Sequence, residues 1–139
     1  MKPINIKEKF NAFTTQWHPH QIAVVDDMQV LLAKVKDAFV WHEHKDEDEL
    51  FYVQKGTLEM HFRNSTSLEN QSHSHPERNR KEWVEIVKEG ELIVVPKGVE
   101  HCPKTKNGEE VHLLLFEKRT TKHTGEVQHE KTQTSYPKI

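Results

Sequence analysis

The chain has 139 residues, of which 34% are apolar, with 20 basic against 22 acidic side chains and a net charge of -2. That length makes one domain, the near-neutral balance gives no global pull toward nucleic acid, and no apolar run approaches the roughly 20 residues that cross a bilayer. Residues 1–10 lack the apolar stretch of a signal peptide, so a cytoplasmic location is expected. The single cysteine, Cys102, excludes an intramolecular disulfide framework and a cysteine-based zinc finger, which leaves the 11 histidines as the unusual feature.

Residues 1–20 read as an N-terminal helix and arm. Ile6, Phe10 and Phe13 share one helical face, Asn5 can cap the helix, and Glu8 completes a capping-box-like pattern. Over residues 21–117 the period is two, or the apolar run is continuous. Residues 22–25 form a short strand, Asp26 and Asp27 a turn, and 28–36 a strand apolar on both faces. Short strands follow at 39–44, 50–53 and 57–62, with Lys55 and Gly56 separating the last two as a hairpin turn. Residues 64–81 hold Leu68 as their one apolar side chain and predict a long solvated loop. Strand character resumes at 83–87, 92–95 and 111–116. Residues 118–139 read as a C-terminal tail, either flexible or wrapped on a partner subunit. Many short strands without βαβ alternation predict an all-β sandwich or barrel.

The chemistry concentrates in two stretches. In the first, His42 and His44 stand two apart on a strand and project to one side. Neutral imidazoles at that spacing can take adjacent positions on one metal ion. Glu49 follows an acidic turn and can reach the same point if the flanking strands pair antiparallel. The result is two histidines and a carboxylate on one side of a divalent ion, with other positions open to water, substrate or dioxygen. In the second stretch, Gly90 opens a strand, Pro96, Lys97 and Gly98 make a turn, and His101 enters the next strand. His101 becomes the fourth ligand if that strand lies beside His42 and His44.

Together the two stretches resemble the cupin family. His42, His44, Glu49 and Gly56 match its first motif, with Lys36 or Asp37 near the place of the leading glycine. Gly90, Pro96, Gly98 and His101 match the second, with Thr105 where the family often has Asn. The resemblance covers roughly residues 23–117. It implies an antiparallel conical β-barrel, a jelly-roll variant, with one divalent metal (Fe, Mn, Ni or Zn) near its mouth, and frequent homodimerisation. The function it implies is that of a metal-dependent enzyme of the dioxygenase, isomerase or lyase type on a small organic molecule. The alternative is a non-catalytic ligand-binding, sensor or storage protein. No catalytic base is assigned, and neither nucleic acid nor membrane is an expected partner.

Phe51, Val53, Met60 and Phe62 are expected to line the pocket, and His112, on one face with Leu114 and Phe116, either lines it or is a hydrogen-bonded core histidine. By alternation His61 points outward with Glu59. His73 and His75, and likewise His18 and His20, are expected in solvated loops. Cys102 reads as a small buried hydrophobe, and Trp17, Trp41 and Trp83 as packing or interface residues. Lys118, Arg119 and Lys122 form a short basic patch on a solvated tail.

Overall fold

The computed structural model describes residues 1–64 and 81–139. The helix α1 is short, Ile6–Phe10, and opens as the pattern predicts, with Asn5 Oδ1 accepting a hydrogen bond from the Glu8 backbone N–H at 3.1 Å. Eight strands follow: β1 (His20–Val25), β2 (Met28–Val35), β3 (Glu49–Lys55), β4 (Thr57–Arg63), β5 (Glu82–Lys88), β6 (Leu92–Val95), β7 (Glu100–Lys104) and β8 (Val111–Lys118). They form a five-stranded sheet in the order β1-β2-β8-β3-β6 and a three-stranded sheet in the order β5-β4-β7. Every pairing is antiparallel. The expected jelly roll is present as two facing sheets whose hydrogen bonding does not run continuously around a barrel.

Alternation decides what lies inside. In β4 Leu58, Met60 and Phe62 are buried while Glu59 and His61 stay at the surface. Phe51 and Val53 from β3 and Val111, Leu113 and Leu115 from β8 meet them in one core. β2 buries both faces: Leu31, Ala33 and Val35 enter that core, and Leu32 packs outward with Phe10 and Phe13 beneath α1. Burying both faces lets a lean chain complete its packing.

Three expectations change. Lys55 and Gly56 do not form a hairpin turn, because β3 and β4 belong to different sheets and the chain crosses between them at Gly56. Gly56 sits at φ 87°, and a Cβ there would stand 2.9 Å from Glu109 Oε1 and 3.0 Å from Val111 Cγ2, so the crossing needs glycine. Residues 39–44 are not a strand. They pair with β7 through the isolated bridges at Ala38↔Lys104 and His42↔His101 and not through a continuous ladder, because the Val40 carbonyl bonds the His42 ring (2.9 Å) and the His44 carbonyl accepts from Gly98 N–H (2.7 Å).

The end of the chain is the third. Residues 119–139 lie on their own sheet rather than hanging free. Thr124 is fully buried and its hydroxyl bonds the Val127 carbonyl and Thr132 Oγ1. Farther on, Gln21 N–H donates to the Pro137 carbonyl (2.8 Å) and Ile139 N–H to the Gln21 carbonyl (3.1 Å), while Tyr136 packs on the main core. The scarcity of apolar residues in this stretch hid a segment held by backbone and hydroxyl hydrogen bonds.

His20, expected in a solvated loop, is not solvated, and His18 is half-buried. His20 is buried and stacks on Phe13 with ring centroids 4.1 Å apart. The pair His73 and His75, and most of the polar stretch 64–81, lie outside the described residues.

The two departures from the motif pattern meet each other. Asp37, near the place of the leading glycine, holds the left-handed φ of 63°. Its N–H donates to Thr105 Oγ1 (2.8 Å) and its carbonyl accepts from Thr105 N–H (2.9 Å). Asp tolerates this conformation better than most residues, and Thr105 secures it.

Candidate metal centre

His42, His44, Glu49 and His101 converge, each offering one ligand atom within 4.8 Å of the others, and all four are buried. Each arrives by a different route. His42 and His101 face each other across a two-bond backbone bridge, with His42 N–H to His101 O at 3.1 Å and His101 N–H to His42 O at 2.9 Å. Glu49 begins β3 and points inward with Phe51 and Val53. His44 sits on the irregular segment before it, with Nε2 3.1 Å from Glu49 Oε2.

Two rings are pre-aimed by the backbone. His42 Nδ1 bonds the Val40 carbonyl and His101 Nδ1 bonds the Val99 carbonyl, each at 2.9 Å. A carbonyl only accepts, so each Nδ1 carries the proton and each Nε2 turns a lone pair toward the cluster. The Nε2 of His101 is buried without a hydrogen-bond partner, and Glu49 Oε2 stands 3.5 Å away. A buried, unsatisfied imidazole nitrogen costs free energy that a bound cation would recover. Three imidazoles and one carboxylate suit a divalent transition metal, so the donor set fits.

Electrostatics keeps the ligands in binding form. Burial, then the neighbouring His101, drive His42 down to about 3, so its ring is neutral at ordinary pH. Burial alone would push the Glu49 carboxyl up, but hydrogen bonding from the neighbouring imidazoles, with His44 Nε2–H at 3.1 Å, holds the group well below the usual carboxylate range.

Three further groups around the centre escaped the sequence reading. Glu117 is buried at the end of β8 and is the register partner of Glu49. Gln29 Nε2 donates to it at 3.0 Å. Burial, reinforced by the Glu49 charge, raises Glu117 well above the ordinary carboxyl value. The signal was available: the period of two that runs through Val111, Leu113 and Leu115 places Glu117 inside. His123 and Tyr136 come from the C-terminal segment, their rings 6.0 Å apart. His123 also lies 5.0 Å from Phe39, whose ring is 5.3 Å from that of His42. Burial lowers His123 to about 4 and raises the Tyr136 phenol.

Of the expected pocket residues, Phe51, Val53, Met60 and Phe62 are all buried in the core, and the Phe51 ring lies 6.1 Å from that of His101. His112 is not with them. It shares a face with Leu114 and Phe116 as expected, but that face is the outer one, where it stacks on Phe10 at 4.7 Å and bonds Glu110 at 3.0 Å. Alternation gives two faces without saying which is inside. Cys102 is buried, and burial raises its thiol, so it is a packing residue and not a nucleophile.

The buried histidines predict a pH dependence. His123 falls from 6.5 to about 4, and His20 is lowered in the same direction, chiefly by burial. Below pH 6.5 the unfolded chain takes up protons that the folded chain refuses, so their contribution is complete above 6.5 and is lost as the pH falls toward 4. Chemical denaturation of chelated protein across that window should show declining stability, with a shallower decline in His123→Gln. An unchanged slope in the variant would refute the assignment.

A jelly roll of two antiparallel sheets that gathers three imidazoles and a carboxylate at one buried point defines a small β-barrel protein with a candidate metal centre. The chain belongs to the cupin family: the family described as "Cupin domain" matches residues 28–117. Among solved structures it is similar to a cupin-2 domain containing protein from Shewanella frigidimarina NCIMB 400, at 38% identity over 84% of this chain and 94% of that one, with a TM-score of 0.67. It is also similar to protein NMB1881 from Neisseria meningitidis, at 26% identity over 84% of this chain and 99% of that one, with a TM-score of 0.64. A hydroquinone 1,2-dioxygenase from Sphingomonas sp. TTNP3 shares the fold, with a TM-score of 0.64 at 15% identity, over 83% of this chain and 32% of that one. No curated protein matches the chain. Among the described residues, no helix is long and apolar enough to cross a membrane.

Proposed function

We propose that this cupin holds one divalent metal ion through His42, His44, Glu49 and His101 and acts with it on a small organic molecule, as an enzyme of the dioxygenase, isomerase or lyase type. The observation that carries the reading is the buried four-residue cluster, in which the Nε2 of His101 has no partner. When bound, Fe, Mn, Ni or Zn would supply Lewis-acid chemistry, and Fe or Mn redox chemistry as well. The protein's own part is to aim two imidazoles by backbone carbonyls, to keep the ring of His42 neutral, and to wall the centre with Phe51, Val53, Met60 and Phe62 so that water is excluded. Glu117 lies directly opposite Glu49 on the neighbouring strand, its carboxyl raised by burial and by the Glu49 charge.

The same residue supports a second reading, a non-catalytic ligand-binding, sensor or storage role. Glu117 is locked between Gln29 and Glu49, which makes it a poor acid or base for a substrate. The test begins with the metal content of protein purified without chelator, followed by oxygen uptake and product analysis with candidate substrates. Metal-free protein sinks both readings, and bound metal without turnover leaves the second.

We also place the chain in a homodimer. Leu92 and Val94 on β6 and Val84 and Ile86 on β5 are exposed, Leu92 by 57%, and both strands lie at sheet edges. Apolar side chains on unpaired edges favour burial against a second copy. Light scattering should report a dimer for the native chain and a monomer for Leu92→Lys/Val94→Lys. A native monomer would contradict the proposal.

A further inference from the structure

The C-terminal segment does more than cover the sheet. Between it and the β1–β2 edge lies a cleft of about 530 Å³, within the size range of small-molecule sites. Two lines of contact join its wall to the metal centre. Gln29 lines the cleft and donates to Glu117, the register partner of Glu49. His123 lines it too and packs on Phe39, which packs on His42.

The wall has a definite chemistry. Gln, Thr, Ser, Tyr and His side chains dominate it, and Val127 is its one aliphatic residue. Thr121 is buried behind this wall. His123 Nδ1 accepts from the Gln133 backbone N–H at 3.1 Å, which puts the proton of the neutral ring on Nε2 and makes that nitrogen a donor. Lys122 is paired with Glu126 at 3.0 Å, leaving Arg119 and Lys138 as the cationic residues of the lining without an acidic counterpart there. Many hydroxyl and amide partners plus surplus positive charge select a solute with several hydroxyls and one negative charge. An apolar aromatic compound would strand these polar groups.

We infer that this cleft is the ligand pocket of the metal centre and that its ligand is a small polyhydroxylated organic anion. The inference rests on the metal-centre reading above, whose substrate class it supplies. Arg119 and Lys138 attract the anion, and the His123 Nε2–H bonds its hydroxyls or carboxylate. His123, with the Tyr136 ring 6.0 Å away, links the cleft wall through Phe39 to His42.

The test uses the full chain loaded with metal, titrated by calorimetry with gluconate, with glucose (hydroxyls, no charge) and with hexanoate (charge, no hydroxyls). Gluconate should bind at least about tenfold tighter than either control, and the surface variant Arg119→Gln/Lys138→Gln should lose about tenfold in gluconate affinity, as expected when a charge-assisted contact is removed. The idea is overturned if gluconate does not bind, if a control binds as tightly, or if the double variant binds as the native chain does. Metal content measured on the same samples separates the two failures. Loaded protein that ignores gluconate refutes the cleft and spares the metal, whereas metal-free protein that binds it with the expected variant losses refutes the metal and keeps the cleft as a binding site.

Discussion

His101→Ala is expected to abolish the rise in melting temperature that added divalent metal gives the native chain. A ligand bound only by the folded state stabilises it by about 2.7 kcal/mol at a concentration 100-fold above its Kd, which for a domain of this size is on the order of 10 °C. His101 is the residue to remove because it is fully buried and its Nε2 has no other partner. Its loss takes away a ligand and the fixed counterpart of the His42–His101 bridge side chains at once, while the backbone bonds of that bridge remain possible for alanine. Without metal, the variant loses an unsatisfied buried nitrogen, so its own melting point should fall less than a cavity of that size would dictate. Thermal scans with and without Zn²⁺ or Mn²⁺, combined with elemental analysis, give both numbers. A variant that still responds to metal as the native chain does would remove His101 from the centre.

Gly125→Ala is expected to destabilise the chain by about 2–5 kcal/mol. Gly125 sits at φ 56°, where an L side chain costs ~1–2 kcal/mol. The larger effect is steric: an added Cβ would lie 2.1 Å from the Glu43 carbonyl oxygen, which is backbone and cannot rotate away, and overpacking of this kind costs roughly 1–3 kcal/mol more. The consequence reaches the metal centre, because Glu43 stands between His42 and His44. Lifting residues 122–127 off Glu43 should both expose the C-terminal segment to protease and weaken metal binding. Limited proteolysis beside a melting curve checks the two together. Native protease resistance in the variant would show that the segment is not pinned at this glycine.

Much of the candidate centre was readable because its ligand types are local. His42 and His44 are two apart, Glu49 follows after a short acidic turn, and His101 is announced by the Pro96, Lys97 and Gly98 turn. The inward residues of β4 were equally readable, since Leu58, Met60 and Phe62 alternate with polar neighbours and leave no doubt which face is wet. β8 is the counterexample. Both of its faces are apolar over residues 111–116, so alternation groups His112 with Leu114 correctly but cannot tell that α1 covers that face. The same ambiguity ended the strand two residues early and hid Glu117.

By itself the sequence determined the all-β class, the four residues that converge in the candidate metal centre and the two turns that flank them, because each depends on residues near one another along the chain. Tertiary structure decided the rest: that β3 and β4 part into separate sheets at Gly56, that His20 and His112 pack under or beside the N-terminal helix, and that residues 119–139 return to the sheet and bring His123 and Tyr136 toward the centre. These outcomes depend on contacts between segments far apart in sequence, where a strand's partner and the covering of a face are set by what else competes for burial.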